Sequence, residues 1–512
     1  MLNRKKTQLN MWDMVVFEKL IPTDHLLVKI DSLIDFSFVY EVVKGNYKDG
    51  IKGRSSYDPV ILFKLCLLEY IYCLSDVKII ERSRTDVAFR WFLCLSLDDK
   101  LPDDSTISYF RVHRLGSANI ELIFNEIVKK CISNKFIKKH RYIVDSTDVE
   151  ANTNYPSDKK LIIQSFRNLL KEVQKFNPAL AFRISGEFEK QLANRLLDDE
   201  KLTLNDCTAI AKEHLDTIHK ELSVEIDSNK KLADKYVIIF RLIKQYEGKS
   251  SDKIVSYVDP DARIAHKSPG KIKKGYKDHI IVDEDSEIIL SSIVTPFNVN
   301  DHKELIALVK KSNSLNLKPK ELTADKAYGT TENRVFLYEQ NMIANISFYT
   351  SSSRETKFGL EDFEISRHLN LVVCPNDEIS TDYYFSKRKK GGDRIVFKFE
   401  KNQCLNCPLK NDCLRENEKQ KKYRIVEVPT EYKIIINDRD RNNTPEFKES
   451  YNKRYKVERR FATLVRNHNM RRCRYLKIEG AKIHIYMSNM ACNIIRMVHL
   501  SDERHHPEKS VA

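Results

Sequence analysis

Two aspartates follow directly after short runs of residues that favour buried β-strands. Asp145 comes after residues 142–144 (YIV), and Asp325 comes after residues 322–324 (LTA). Short β-branched and aromatic runs bounded by polar turn formers predict strands, so Asp145 is expected at or just inside the carboxyl end of its strand. Open α/β sheets hold their ligands at the carboxyl ends of strands. Both carboxylates are therefore candidates for a ligand-binding or catalytic site.

The residues alone leave a structural role open for these carboxylates. Asp145 is equally suited to cap the next turn or helix through its side chain. Asp325 has Lys326 beside it as a partner for a salt bridge, and Glu458 lies among many charged residues of a later segment. Taken one at a time, Asp325 and Glu458 are more often ordinary surface charges than catalytic groups.

The segment around Glu458, EFKESYNKRYKVERRFATLVRN, is predicted to form one long basic helix. Tyr451, Arg454 and Glu458 recur at spacings of three and four residues, which places them on one helix face. This face lies beside an apolar stripe formed by Val457, Phe461 and Leu464. Glu458 is therefore expected at the edge of the buried face.

Four of the eleven cysteines are candidates for a structural zinc site. Cys404-x2-Cys407 is a short-spaced pair, and Cys413 and the upstream Cys374 complete a set of four thiolates suited to tetrahedral Zn²⁺. The 29 residues between Cys374 and Cys404 weaken the spacing argument. In the alternative interpretation, Cys374 ends an apolar strand and is an ordinary buried thiol. Catalysis is not expected to need this zinc.

The composition narrows the class of protein. The chain has 512 residues, 41% of them hydrophobic, and a net charge of +15, which indicates a globular protein with a polyanionic partner such as nucleic acid. No window contains the roughly 18 uninterrupted apolar residues of a membrane span. The odd number of cysteines and the absence of a secretion signal predict reduced thiols in the cytosol.

The order of these features is specific. A carboxylate after a first strand, a β-hairpin around residues 283–286, a second carboxylate after a later strand and a glutamate on a following helix form the order of an RNase H-like nuclease core. The chain resembles the DDE transposases of bacterial insertion sequences over nearly its whole length. The blocks VDSTDVEAN, VTPFNVND and TADKAYG resemble the catalytic core of that family, and GRSSYDPVILFKLCLLEYIY resembles its helical N-terminal domain.

Tyr451-x2-Arg454-x3-Glu458 matches the Tyr-Arg-Glu signature of that family. The lysine usual seven residues after the glutamate is absent, because Val465 stands there and Arg466 follows. The resemblance implies a catalytic triad of Asp145, Asp325 and Glu458. Three carboxylates suit Mg²⁺ or Mn²⁺, and two such ions about 4 Å apart stabilise the attacking and leaving oxygens of a phosphodiester. DNA contacts are expected from Tyr451, Arg454, Arg466, Arg111 and Arg114.

The implied fold class is α/β, with an RNase H-like mixed sheet, an all-helical N-terminal domain, a helical insertion and a cysteine-bearing insertion. The predicted segments are an N-terminal DNA-binding domain at 1–117, the core at 118–156 and 254–349, a helical insertion at 157–253, a cysteine-bearing insertion at 350–435, a C-terminal catalytic helix region at 436–500 and a flexible tail at 501–512. Short helices around Arg111 and Arg114 are typical of a helix-turn-helix DNA reader, although any small helical bundle has such turns.

The implied activity is binding of insertion-sequence ends, metal-dependent strand cleavage and strand transfer into target DNA. A homodimer in the active complex and a nucleoid-associated location in a bacterial cytoplasm go with that activity, and no membrane partner is expected. Two alternatives remain open. One is a catalytically inactive DNA-binding protein on a transposase scaffold, and the other is an RNase H-like nuclease without strand transfer.

Overall fold

The computed structural model describes residues 9–47, 56–197, 202–248, 252–268, 271–348, 358–366, 368–388, 393–414, 418 and 422–505. Part of the lysine-rich segment KSPGKIKKGYK, residues 267–277, for which DNA binding is predicted from its charge, and most of the predicted tail lie outside these ranges. The described start of that tail, residues 501–505, is helical, so the prediction of a flexible segment from residue 501 is wrong there. Within the described ranges, no helix combines the length and apolar composition needed to cross a membrane.

The N-terminal region is entirely helical. Its helices are α1 Met11–Leu20, α2 Leu26–Leu33, α3 Phe38–Val43, α4 Pro59–Ile71, α5 Asp76–Thr85, α6 Val87–Phe92, α7 Asp104–Phe110 and α8 Gly116–Ser133, with a π-helical turn at Arg111–Leu115 between the last two. Helix α4 is buried almost all round, as its apolar sequence predicts. It begins at Pro59, where Asp58 accepts hydrogen bonds from the Val60 and Ile61 backbone amides.

The mixed sheet consists of β1 Arg141–Glu150, β2 Arg263–Ser268, β3 Lys271–Asp283, β4 Ile289–Pro296, β5 Glu321–Ala324 and β6 Ile343–Ile346. The strand order is β2-β3-β1-β5-β6, and β4 also pairs with β3. Strands β1, β5 and β6 are parallel, while β3 is antiparallel to β1, β2 and β4. Helices α13 Leu305–Ser314 and α14 Thr331–Glu339 connect the later strands. The hairpin expected around residues 283–286 is the β3–β4 connection.

Strand β1 is longer than the sequence indicates. It continues for five residues beyond Asp145 to Glu150, because β3 supplies antiparallel partners along its whole length, from Tyr142 opposite Asp283 to Glu150 opposite Gly275. Gly275 has a φ of +148°, and a Cβ there would lie 2.3 Å from the Val149 carbonyl oxygen. The close approach of the two strands at this end therefore requires glycine.

Two insertions interrupt the sheet region. The first contains α9 Asp158–Val173, α10 Pro178–Leu197, α11 Leu204–Ser228 and α12 Lys230–Tyr246, which share a hydrophobic core of their own. The second contains the short strands β7 Glu364–Ile365, β8 Val372–Val373, β9 Ile379–Ser380, β10 Tyr383–Ser386, β11 Arg394–Lys398 and β12 Ile425–Pro429, with helices α15 Lys401–Leu405 and α16 Lys410–Cys413. Strands β7–β9 and β10–β12 form two separate antiparallel sheets.

The C-terminal region consists of α17 Tyr432–Asn442, α18 Pro445–Asn452, α19 Tyr455–Asn467 and α20 Lys477–His505. The prediction of one long helix through Tyr451 and Glu458 is wrong, since the helix breaks at residues 453–454. Tight turn bonds from the Lys453 amide to the Ser450 carbonyl and from the Arg454 amide to the Tyr451 carbonyl replace the helical pattern there. Tyr451 ends α18, whereas Glu458 lies in the first turn of α19.

A buried charge cluster fixes the N-terminal helices to the C-terminal region. Arg111 is 2% exposed, and its guanidinium lies 3.0 Å from Glu69 and 2.5 Å from Asp76. It also donates a hydrogen bond to the Tyr475 hydroxyl and stacks over that ring. The sequence-based assignment of Arg111 to a DNA contact is wrong, because these buried partners occupy its guanidinium.

We expect Arg111→Ala to reduce the free energy of unfolding by about 3–5 kcal/mol, because the change removes the cation nearest to the buried Glu69 carboxylate and the closest cation of Asp76. Urea-induced unfolding followed by circular dichroism measures this loss. Arg84→Ala, an exposed change on α5, is the control and should alter stability by less than about 0.5 kcal/mol. Unchanged stability of Arg111→Ala together with weakened DNA binding would restore the assignment to a DNA contact.

Candidate active site

The parallel pairing of β1 with β5 brings two of the predicted carboxylates together. The last residues paired between these strands are Val144 and Ala324, and Asp145 and Asp325 come next in each strand. Each carboxylate accepts a hydrogen bond from the backbone amide of the residue that follows it, at 2.8 Å for Asp145 and 2.7 Å for Asp325. Both side chains are therefore anchored to rigid backbone at the same edge of the sheet.

Arg454 lies between the two aspartates. Its Nη2 is 2.9 Å from Asp145 Oδ2, and its Nη1 is 3.8 Å from Asp325 Oδ1. The break between α18 and α19 makes this contact possible. Arg454 is the last residue before α19, and α19 packs against β1. One cation thus lies within ion-pair distance of both carboxylates.

The two aspartates differ in their surroundings. The side chain of Asp145 is 19% exposed, whereas that of Asp325 is 41% exposed. Burial raises the pKa of Asp145 above its ordinary value, and the charge of Arg454 opposes that shift. Asp145 is therefore the carboxylate that depends more strongly on a neighbouring cation to remain ionised.

Glu458 is the third predicted carboxylate. It lies four residues after Arg454, on the same side of α19 by helical spacing, and its side chain is exposed. Its neighbour Val457 is buried, so the prediction of the edge of the buried face agrees with this position. Within the described part of the chain, the carboxylate of Glu458 has no ion-pair partner and is not gathered with the two aspartates into a metal-holding group.

The residues at this sheet edge fit a divalent cation. Two adjacent carboxylates offer hard oxygen ligands of the kind that Mg²⁺ prefers, and the Arg454 guanidinium between them is a stand-in for a bound cation. No set of three His, Cys, Asp or Glu side chains forms a closed metal site among the residues described. The fit therefore depends on Asp145 and Asp325 as a pair.

Comparison with protein families adds to this geometry. Residues 15–113 match the model of a transposase domain (DUF772), and residues 373–498 match the model of a transposase DDE domain. Both matches support a DDE-type transposase of insertion-sequence type. The second match includes Glu458, whereas Asp145 and Asp325 lie outside both matches. No curated protein and no solved structure matches the chain.

The transposase has the predicted α/β fold class. Its mixed sheet and helical N-terminal region agree with the RNase H-like fold that the DDE domain implies, and its family implies DNA binding. The order of strands, with β3 antiparallel to β1 and β5 parallel to it, places the two aspartates on neighbouring strands in the middle of the sheet.

The predicted DNA-contacting residues of the transposase have different surroundings. Arg466 is exposed in the last turn of α19. Tyr451 stacks on Phe447 with ring centroids 5.4 Å apart and accepts a hydrogen bond from Ser347. Arg114 is half-buried and stacks over Tyr47. For these three side chains a DNA contact stays a prediction, while Arg454 is held by the aspartates.

The four predicted zinc ligands line one small cavity of about 30 Å³, close to the volume of a single ion or water molecule. Cys374 Sγ accepts a hydrogen bond from the Asn376 amide, and Cys404 Sγ accepts one from the Arg424 amide, each at 3.4 Å. Burial raises the pKa of Cys413 to about 11, and the neighbouring thiols add to that shift. The cysteines are therefore neighbours, although their positions do not form a closed metal site within the described residues.

The sequence analysis missed Tyr328, which is buried beside the carboxylates. Burial, and then the charges of Asp301, Asp145 and Asp325, raise the pKa of its hydroxyl, so it remains a neutral phenol. The Tyr328 amide donates to the Asp325 carbonyl at 2.9 Å and closes the turn that follows β5. Its position three residues after Asp325, in the block TADKAYG, could have identified it from the sequence as a neighbour of the carboxylates.

We expect Arg454→Gln to lower the thermal stability of the transposase in chelator-containing buffer. The reason is that Asp145 loses a charge-assisted hydrogen bond worth about 1.5–3 kcal/mol. Differential scanning calorimetry with and without Mg²⁺ measures the effect, and Mg²⁺ should restore more stability to the variant than to the wild type. Arg466→Gln, at an exposed arginine of the same helix, is the control. An unchanged melting temperature for Arg454→Gln would contradict the role of Arg454 as the neutralising cation.

Proposed function

We propose that the transposase binds the ends of its own insertion sequence, cleaves a DNA strand there and joins the freed 3′-hydroxyl to target DNA. The observation that carries this proposal is the pair of carboxylates at the ends of β1 and β5 with one cation between them. Holding two like charges side by side, with Asp145 mostly buried, is costly unless a cation lies beside them. A site of this kind is suited to exchange a side-chain cation for a metal ion.

Asp145, Asp325 and Glu458 would hold the divalent ions, Mg²⁺ or Mn²⁺. When bound, such ions stabilise the attacking and leaving oxygens of a phosphodiester undergoing in-line displacement. Asp145 and Asp325 contribute fixed oxygen ligands because both strands are anchored in the sheet. Glu458 would contribute an exposed carboxylate one helical turn from Arg454.

Arg454 would have two partners in turn. Its guanidinium pairs with Asp145 and Asp325. Ions bound by these carboxylates would compete with it, and the planar guanidinium, once released, can pair with two oxygens of a DNA phosphate. Arg454 thereby would orient the DNA strand at the carboxylates. Tyr451, Arg466 and Arg114 remain the further candidates for DNA contacts.

The cysteine cluster supports a second, structural metal. We infer that Cys374, Cys404, Cys407 and Cys413 bind Zn²⁺, which would deprotonate the thiols and draw them to Zn–S distances of about 2.3 Å. The supporting observation is the common cavity that the four side chains line. This zinc would hold α15 and α16 against the end of β8, away from the carboxylates.

The active complex would contain double-stranded DNA and two copies of the chain. A homodimer would pair two insertion-sequence ends, and the same catalytic groups would then act on target DNA. The net charge of +15 favours association with DNA throughout, in keeping with a nucleoid-associated protein of a bacterial cytoplasm.

We expect Asp145→Ala, Asp325→Ala and Glu458→Ala each to abolish cleavage and joining while retaining binding to the terminal DNA of the element. Each change removes a metal ligand, but recognition of the ends is assigned to other surfaces. Incubation of terminal DNA with Mg²⁺, followed by denaturing electrophoresis, separates cleaved from joined products. Cleavage without any joined product would favour a nuclease instead.

Matched variants control for the loss of charge alone. Glu446 is exposed on α18, and Asp148 lies three residues beyond Asp145 on β1 and pairs with Lys273 at 2.9 Å. Glu446→Ala and Asp148→Ala should retain cleavage. Cleavage by Asp145→Ala at the wild-type rate would overturn the assignment of the carboxylates.

We expect purified protein to contain zinc near one equivalent per chain, and Cys404→Ser to lose it, because serine is a poor ligand for Zn²⁺. Inductively coupled plasma mass spectrometry measures the content. Cys73→Ser, at an exposed cysteine of the N-terminal region, should retain the metal. Zinc near zero in reduced wild-type protein prepared without chelator would return the four residues to ordinary thiols.

A further inference from the structure

A polar groove of about 720 Å³ opens where β1 leaves the sheet. It is lined by residues 152–156, by Gln164 of α9, by residues 257–258 after the helical insertion, and by Arg472, Arg474 and Leu476 before α20. We name this feature the exit groove. Its volume lies within the range of about 300–1,000 Å³ typical of small-ligand sites.

Backbone pairing builds one wall of the exit groove. The Glu150 amide donates to the Arg471 carbonyl at 3.0 Å, and the Cys473 amide donates to the Glu150 carbonyl at 2.7 Å. The residues before α20 therefore form a short strand-like extension beside the end of β1. On an extended segment successive side chains point to opposite sides, so Arg472 lines the groove and its neighbour Arg471 does not.

A side-chain bond secures the opposite wall. The hydroxyls of Thr153 and Ser256 are 2.7 Å apart, which joins the loop after β1 to the segment that returns from the helical insertion. The groove is thus held on both sides by bonds between segments far apart in sequence.

The lining carries the groups that bind a nucleotide. Arg472 is exposed and has no salt bridge with any residue that the structure describes, so its guanidinium is available for a phosphate. Asn154 and Gln164 expose amide groups, which can pair with base edges. Tyr257 is half-buried and offers a ring on which a base can stack.

Further positive charge lies at the rim of the groove. The Lys274 ammonium lies 4.4 Å from the ring centroid of Tyr155, whose hydroxyl donates to the Lys274 carbonyl. Arg474, by contrast, is directed to Glu69 at 3.5 Å and stacks over Tyr70. Arg472 is therefore the arginine that the groove offers to a ligand.

The exit groove lies along β1 from the carboxylates. Five residues of strand separate Asp145 from Glu150, which corresponds to roughly 17 Å at about 3.3 Å per residue. DNA rises about 3.4 Å per base pair. A DNA strand that ran along β1 from the carboxylates would reach the groove after about five base pairs.

We propose that the exit groove binds an unpaired nucleotide of the DNA substrate. Its phosphate pairs with Arg472, its base stacks on Tyr257, and the base edge bonds to Asn154 and Gln164. The distance to the cleavage position rests on the proposed function, whereas binding of the nucleotide does not.

Equilibrium binding of a fluorescein-labelled single-stranded oligonucleotide, followed by fluorescence anisotropy in EDTA, tests the proposal. Arg472→Ala should weaken binding about tenfold or more, the loss expected for a charge-assisted hydrogen bond. Arg471→Ala removes the same charge next to the groove and should weaken binding about twofold or less, as a single phosphate charge without a specific site does.

A second pair of variants separates stacking from charge. Tyr257→Ala should weaken binding by about fivefold to a hundredfold, whereas Tyr257→Phe keeps the ring and should bind like the wild type. The double change Asn154→Ala with Gln164→Ala alters two exposed side chains without changing the charge, and it should also weaken binding. Circular dichroism confirms that each variant is folded.

Equal losses for Arg471→Ala and Arg472→Ala, with no loss for Tyr257→Ala or for the double amide change, would overturn the proposal and leave only general attraction to DNA. Because the measurement is made in EDTA, no metal-dependent cleavage takes part. The carboxylate mechanism is tested by cleavage in Mg²⁺ and the groove by binding in EDTA, so a failure of the one and a failure of the other are distinguishable.

Discussion

The burial of one fixed carboxylate beside a second one is the constraint on which the candidate site of this transposase depends. Asp145 and Asp325 follow the last paired residues of two adjacent parallel strands, so neither can move away without breaking the sheet. Burial of Asp145 increases the cost of its charge, and a cation must therefore stand between the two side chains. Arg454 fulfils this requirement because the helix breaks just before α19 and directs that residue to the sheet edge. The helix break at residues 453–454 is therefore what brings a positive charge to the two aspartates that follow β1 and β5.

The same arrangement explains how the fold accommodates two adjacent carboxylates without a permanently bound metal ion. The ion pair between Arg454 and Asp145 stabilises the fold, and a metal ion bound in its place would exchange one cation for another. The fold therefore does not depend on permanent occupancy by a metal. Active sites are commonly less stable than the rest of a protein because function requires unfavourable arrangements of groups. The contacts of Arg454 with both aspartates reduce the free-energy cost of placing these carboxylates together. Tyr328 adds a neutral wall, since its buried phenol stays protonated beside the acidic groups.

Local sequence patterns predicted part of this structure and missed another part for physical reasons. Strand residues followed by aspartate were sufficient to find Asp145 and Asp325, because a strand and its end are local features. The extension of β1 depends on pairing with β3, more than a hundred residues later. The burial of Arg111 depends on Tyr475, and nothing near Arg111 in sequence indicates that partner. The break at residues 453–454 lacks glycine and proline, the residues that usually mark such positions.

Helix α20 determines how the N-terminal region and the sheet act together. Its Asn493 exchanges two hydrogen bonds with the Ile289 backbone, both at 2.8 Å, and its Asn489 donates to the buried Asp278 at 2.9 Å. On the other side, His484 bonds to the Tyr70 hydroxyl of α4 at 3.0 Å. Bonds of this kind within a closely packed interior leave little freedom for the N-terminal helices to move relative to the sheet. If the N-terminal helices bind insertion-sequence ends, the orientation of that DNA relative to Asp145 is therefore set by packing around α20 rather than by a flexible linker.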